Sequence, residues 1–424
     1  MSYRFQKFTT IYPAFLRQFL ADNPAYERLS YRELYDKLVS TRYGWADFFA
    51  NHLQNLGNEA QDLFASVEPL QKAWAKENGV SYGESSWLKD IVLAQVRAFK
   101  PDVLFLQDLY LFDQGFRQQL RETCGEKVLI LGWRAAPTPD FSAFKDLDVI
   151  LTCVPNFVQN LRRNGANAAL MPMAFEDSTL GAVGPAAERD LDFTFAGSLG
   201  AHDGHHAERH ALIEKLLRST PLQVWSEIGG GRPQPRADSF LERVGHKANE
   251  VLSRAGTPER LRARLPLVRR GGARAADPAS QSINQRHPGR FHQPVFGFEY
   301  FKILARSKIA FNSHIDCSED FAGNMRLYEA TGMGACLITD WKKNLPDIFD
   351  PDVEVVTYRG AEECVEKVLY LLDHEEERRA VAAAGQRRTL RDHTLAKRAA
   401  QLDEIIRSTH ASRATVTTLH PTHV

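Results

Sequence analysis

A chain of 424 residues is too long for one ordinary hydrophobic core and long enough for two full domains. With 43% hydrophobic and 25% charged residues the composition excludes a largely disordered protein, and a formal net charge of zero argues against nucleic acid as a partner. Five cysteines (Cys124, Cys153, Cys317, Cys336, Cys364) stand without CxxC spacing, which fits a reducing compartment and gives no zinc signature.

The opening MSYRFQKFTT lacks the apolar stretch of a signal peptide, and no run approaches the ~20 apolar residues that cross a bilayer. The expectation is a cytoplasmic protein, with peripheral contact at the inner face of the membrane left open. Residues 13–78 read as helical, because Phe15, Phe19, Leu20, then Leu34, Leu38, then Phe48, Phe49 and Leu53 recur at helical spacing. From residue 87 the texture changes. A helix over 87–99 stops at Lys100-Pro101-Asp102 and hands over to the apolar run VLFLQ. The same alternation gives helix 111–122, strand KVLILGW (127–133), strand DVILTC (148–153), helix 155–164 and AALMPMAF (168–175). Helices alternating with short apolar strands predict an α/β fold with a doubly wound parallel sheet.

Residues 176–190 are polar and small, and serve as the expected linker. A second α/β unit opens with LDFTFAGSLG at Leu191, followed by helix 206–218 and PLQVWSEI. Residues 226–290 form a basic insertion with 13 Lys/Arg against 6 Asp/Glu. Such an insertion could meet a phosphorylated acceptor or an anionic membrane face. Then come FGFEYFKILARS (296–307), KIAFNSH (308–314), helix 323–332, GACLITD (334–340), VEVVTY (353–358) and helices over 361–373, 375–389 and 393–407. The domains are therefore expected at 1–180, with helical elaboration, and 181–392. A helix over 393–410 could cross back to the first domain, and a disordered tail is expected over 411–424.

Two constellations carry chemistry. In FAGSLG, Gly197 and Ser198 sit in a small-residue turn between a strand and a helix, a place where backbone N–H groups can meet an anion such as a diphosphate. The stronger one joins Asn312-Ser313-His314 with GNMRLYEATGMG (323–334) and ITD (338–340). Arg326 and Glu329, three apart, share a helix face. Arg326 can pair with phosphate, Glu329 can accept from ribose hydroxyls, and His314 ends a strand toward the same crevice. Asp108, after VLFLQ, and Asp140, after GWRAAPTP, are candidate bases. Arg134 is a candidate acceptor contact. His202, His205 and His206 resemble a metal cluster only by count, so no metal site is expected.

The stretch from Phe296 to about Ile405 resembles the group 1 glycosyltransferase domain of the CgeB-like family, through VFGFEYFKILARSKIAFNSH, GNMRLYEATGMGACLITD, NLPDIFDPDVEVVTY and RDHTLAKRAAQL. LQKAWAKENG, FKPDVLFLQDL and DLDVILTCVPNFVQNLRRNGANAALMPMAF look like the acceptor-side domain of such enzymes. The resemblance implies a GT-B fold: two Rossmann-like domains facing a cleft. It further implies a nucleotide-sugar donor, a saccharide or lipid-linked acceptor such as polysaccharide biosynthesis uses, and no cofactor beyond the donor. Asn324 and Arg326 would meet the diphosphate and Glu329 the ribose, with Gly197 and Ser198 lining the phosphate side. One departure stands out. Related retaining enzymes carry a glutamate eight residues before the one matched by Glu329, where this chain has Phe321; Glu319 and Asp320 are the nearest acids. A nucleotide-sugar epimerase and a non-catalytic binding protein of the same fold are the competing readings.

Overall fold

The structure is a computed structural model that describes residues 2–136, 141–184, 188–199, 207–226, 283–314 and 319–419. It contains two six-stranded sheets, and every strand pair in both is parallel. The first uses β1 (Arg4–Thr9), β2 (Glu59–Phe64), β3 (Val103–Leu106), β4 (Leu129–Trp133), β5 (Val149–Thr152) and β6 (Ala168–Leu170), in the order β2-β1-β3-β4-β5-β6. The second uses β7 (Leu191–Ala196), β8 (Leu222–Trp225), β9 (Phe291–His292), β10 (Ser307–Asn312), β11 (Cys336–Asp340) and β12 (Val356–Tyr358), in the order β12-β11-β10-β7-β8-β9. In each sheet the chain lays strands to one side of its first strand and then crosses to the other. The switch points therefore fall between β1 and β3, and between β7 and β10. Ligands of open α/β sheets bind beyond the strand ends at such points.

Strands β3, β4 and β5 are buried along their whole length, as a sheet covered on both faces requires. Their apolar side chains feed one core on each face of the first sheet, and two further cores flank the second. Helix starts follow local chemistry. Ser30 and Glu33 form a reciprocal capping box before Tyr31–Ser40, and Asp113 caps Gln114–Cys124 by accepting from Phe116 N–H.

Three expectations need correction. The all-helical reading of 13–78 misses β2, which lies between helices Phe48–Asn55 and Glu68–Glu77. Asp62 within it is fully buried and bonded to Lys7 of β1 at 2.9 Å, and Ala50 N–H donates to its other oxygen. A charged pair in the sheet hides both strands from an apolar-run reading. Second, the tail expected to be disordered from 411 continues the helix Leu395–Leu419 as far as Leu419. Arg413 reaches back to the Val128 carbonyl and to Asp148, which ties that end to the first domain. The helix itself packs Leu395, Ala399, Leu402 and Ile406 into the first-domain core. Third, the helix expected from 323 begins only at Arg326 and spans seven residues. Gly323 lies against Cys153 and Val154, with no room for a side chain, while Phe321 and Met325 pack into the first-domain core. These tertiary contacts keep Gly323 and Asn324 out of the helix, whose cap is Met325.

Within the expected linker, helix Ser178–Val183 packs Leu180 and Val183 against the second domain. Of the basic insertion, residues 227–282 lie outside the described residues. Among the described residues no helix is long and apolar enough to cross a membrane.

Candidate functional site

The second domain's strand ends face the first domain across a cavity of about 230 Å³. Gly197 and Ser198 follow β7 on its wall, Trp225 ends β8 with Ser226 after it, and Tyr300, Arg326 and Glu329 come from two helices. The first domain supplies Tyr12, Arg42, Tyr43 and Gly44.

Arg326 bridges the switch point. Its Nε and Nη2 donate to the Ala196 carbonyl at the end of β7 (3.2 and 2.7 Å), and Nη1 donates to Asn312 Oδ1 at the end of β10 (3.3 Å). Its guanidinium lies 4.7 Å from the Phe195 ring centre. All three of these hydrogen bonds go to neutral acceptors, and the guanidinium meets the neighbouring Glu329 carboxyl through its charge rather than through a hydrogen bond in this set. Gly197 has φ +151°, and a Cβ at this position would overlap Arg326 Nη2. Glycine is thus required both for the backbone angle and for the approach of the guanidinium.

One turn along the same short helix, Glu329 accepts from Tyr300 O–H at 3.0 Å. Burial pushes its carboxyl above the usual range, more than the Tyr300 hydrogen bond and the Arg326 charge pull it down. A hydroxyl donated by a ligand would favour the ionised form.

Arg209 is a second cation that the sequence reading did not single out. It is buried, and donates from Nη1 to Ser198 O (3.2 Å) and from Nη2 to Ser313 O (2.6 Å). The two guanidiniums thus bracket the ends of β7 and β10. An arginine at the start of the helix that follows a small-residue strand-end turn was the available signal.

His314 is buried, and its Nδ1 lies 2.7 Å from Asp340 Oδ1. Burial alone would raise the Asp340 carboxyl; the His314 ring and N–H groups together with Lys342 outweigh it and hold it at about 2. Asn324 precedes the short helix and donates to Asn312 Oδ1 at 2.6 Å.

The candidate bases fare differently. Asp108 Oδ1 accepts from the backbone N–H groups of Tyr110 and Leu111, which makes it a turn-capping residue after β3. Asp320 is exposed and paired with Lys343 at 2.6 Å. Glu319 reaches across the domains, where its Oε2 accepts from Asn156 at 3.0 Å. Asp140 lies outside the described residues, as do His202, His205 and His206. Arg134 stacks over Tyr110 of the first domain, 5.0 Å from the ring centre. No group of three or more metal-ligating side chains exists among the described residues.

Residues 263–404 match a family model described as glycosyl transferase-like. By sequence, no curated protein matches the chain. Among solved structures it is similar to an alpha-glucosyltransferase bound to UDP-glucose and DNA containing an abasic site (TM-score 0.56, 11% identity, 96% of this chain and 100% of that one). It is also similar to Anabaena HepE bound to UDP-glucose (TM-score 0.54, 8% identity, 96% and 100%). A third is sucrose-phosphate synthase of Thermosynechococcus elongatus (TM-score 0.53, 12% identity, 97% and 100%). At such identities the likeness is one of fold, and with the two facing parallel sheets it makes the architecture that of a two-domain, Rossmann-like GT-B protein.

Proposed function

We propose that this protein transfers a sugar from a nucleotide-sugar donor to the hydroxyl of a saccharide or lipid-linked acceptor. The observation that carries the reading is the placement of Arg326 and Glu329. They stand side by side on one helix and line a cavity at the switch point of the second sheet, opposite the first domain. The family match over 263–404 and the fold of the UDP-glucose-binding proteins above support the same reading.

In this arrangement the donor diphosphate lies against Arg326 and Arg209, beside Gly197 and Ser198, and Glu329 accepts from ribose hydroxyls. Transfer breaks the bond between the anomeric carbon and the phosphate oxygen. Negative charge then grows on the diphosphate, where two fixed guanidiniums stabilise it more than they stabilise the bound donor. The acceptor oxygen forms the new bond and gives its proton to a base. The helix at Arg326 is too short to supply much of a dipole, so the arginines carry the electrostatic part, without need of a metal. Of the acids weighed as that base, Glu319 is the one that spans the domain junction.

The test is donor hydrolysis and transfer by Arg326→Ala and Glu329→Ala in buffer containing EDTA. The expected result is activity in the wild type despite the chelator, and a loss of at least ~100-fold for Arg326→Ala, the scale seen when one transition-state donor is removed. Near wild-type activity in both variants would remove the site. A sugar epimer formed from the donor without any acceptor would replace transfer by epimerisation.

A further inference from the structure

The strand ends of the second domain carry a hydrogen-bond chain whose direction is fixed at both ends. At one end Arg326, which can only donate, gives Nη1–H to Asn312 Oδ1. Asn312 must therefore point its oxygen at Arg326, and its Nδ2 donates to Thr339 Oγ1 at 2.9 Å. Thr339 O–H then donates to Asp340 Oδ1 at 3.3 Å. Asp340, ionised and able only to accept, ends the chain, and it also takes the His314 backbone N–H at 3.0 Å.

Two side branches inherit this direction. Asn324 meets an oxygen on Asn312, so it must offer its Nδ2, and its own Oδ1 is left over. His314 meets a carboxylate, so Nδ1 carries a proton, and in the singly protonated ring Nε2 is left over as an acceptor. Both leftover atoms, Asn324 Oδ1 and His314 Nε2, are buried and have no hydrogen-bond partner. Buried polar atoms without a partner are rare and costly in native proteins, and they mark places where a ligand or ordered water completes the site. Asn324 Oδ1 is an acceptor, and so is Nε2 of a singly protonated His314. A phosphate, which brings acceptors only, cannot satisfy them, whereas a sugar ring brings hydroxyl donors.

We infer that Asn324 Oδ1 and His314 Nε2 accept hydroxyl hydrogen bonds from the transferred sugar, with Asp340 as the positioning residue that holds His314 in its Nδ1–H form. The inference rests on the nucleotide-sugar reading and divides the site beside it. The arginines serve the diphosphate, and this pair serves the sugar.

Calorimetric titration with UDP and with UDP-glucose separates the two halves, and GDP/GDP-mannose and ADP/ADP-glucose are run in parallel to cover the base. Asn324→Ala and His314→Leu should each weaken the sugar nucleotide roughly tenfold, the scale of one lost hydrogen bond, and change the matching nucleoside diphosphate less than about threefold. His314→Gln, which keeps an acceptor of similar reach, should recover most of the loss and so exclude a folding defect. In ¹⁵N spectra of the donor complex, His314 should carry one proton, on Nδ1, and Asp340→Leu should abolish that preference. Equal weakening of sugar nucleotide and nucleoside diphosphate, or a doubly protonated His314 in the complex, would overturn the assignment while leaving the transferase reading in place. A wild type that binds none of the pairs would overturn both.

Discussion

Replacing Gly197 by alanine tests whether Arg326 is held where the switch point needs it. The new Cβ would occupy the space of Arg326 Nη2, so the guanidinium must swing off the Ala196 carbonyl. That gives up a charge-assisted hydrogen bond worth about 1.5–3 kcal/mol net and the contact over Phe195, worth about 0.5–1 kcal/mol. The φ of +151° adds strain of about 1–3 kcal/mol for any residue with a Cβ. Water recovers part of the lost bonding because Arg326 lines a cavity, so the net cost should be about 2–4 kcal/mol. The assay is a double-mutant cycle with Arg326→Ala, read by urea unfolding. With Arg326 already removed, the overlap vanishes and Gly197→Ala should cost only the backbone strain, which leaves a coupling of about 1–2 kcal/mol. Equal costs in both backgrounds would refute the argument, since the guanidinium would then be indifferent to the space Gly197 leaves open.

Two further outcomes follow from buried and half-buried charge. His52 Nε2 lies 2.8 Å from Glu176 Oε2 and joins the first domain to the linker. The Glu176 hydrogen bond raises the His52 pKa, and for Glu176 the hydrogen bonds from His52 and Ser178 outweigh burial and lower its own. The histidine's contribution is full below about pH 6.5 and fades as pH rises through its raised folded value. The glutamate's contribution is full above about pH 4.5 and fades as pH falls through its lowered one. Stability from this pair should therefore peak between the two, and His52→Gln should flatten the decline that sets in as pH rises above about 6.5, in urea unfolding followed from pH 5 to 9. Lys7→Met alone leaves Asp62, whose carboxyl burial already raises, without its buried partner, and should cost about 3–5 kcal/mol; Lys7→Met with Asp62→Leu should recover most of that in the same measurement.

The sequence showed most plainly the elements whose polarity repeats their structure. VLFL, LILGW and CLITD are apolar because both faces of their sheets are covered, and each is a strand where the pattern puts it. What stayed hidden depends on contacts between distant residues. β1 and β2 owe their place to Lys7 and Asp62, 55 positions apart, and each reads as polar until paired. The start of the Arg326 helix is set by Gly323 lying on Val154, a neighbour that no local pattern reveals. Arg326 and Glu329 were legible because helical spacing alone puts them on one face. Arg209 was not, because its value lies in reaching Ser313, 104 residues away.

The cavity is complete only when the domains meet, and the chemistry of that meeting bears on how the site works. Phe296, from the segment before helix Gly297–Arg306, enters a ring cluster of the first domain, with centroids 5.8 Å from both Phe15 and Tyr43 and 6.2 Å from Tyr12. Phe15 and Tyr43 are themselves stacked at 4.0 Å. Beside them Phe298 N–H donates to the Thr41 carbonyl at 2.6 Å, against a glycine that admits no side chain there. Tyr12, Tyr43 and Phe296 also line the cavity, so the rings that join the domains are the rings that roof the cavity proposed for the donor. This contact is aromatic packing and one backbone hydrogen bond, neither of which salt screens as it screens surface charge. Removing apolar surface from water holds the roof, and the charge of Arg326, which lines the cavity beneath it, counts for more in that drier space than it would in an open cleft.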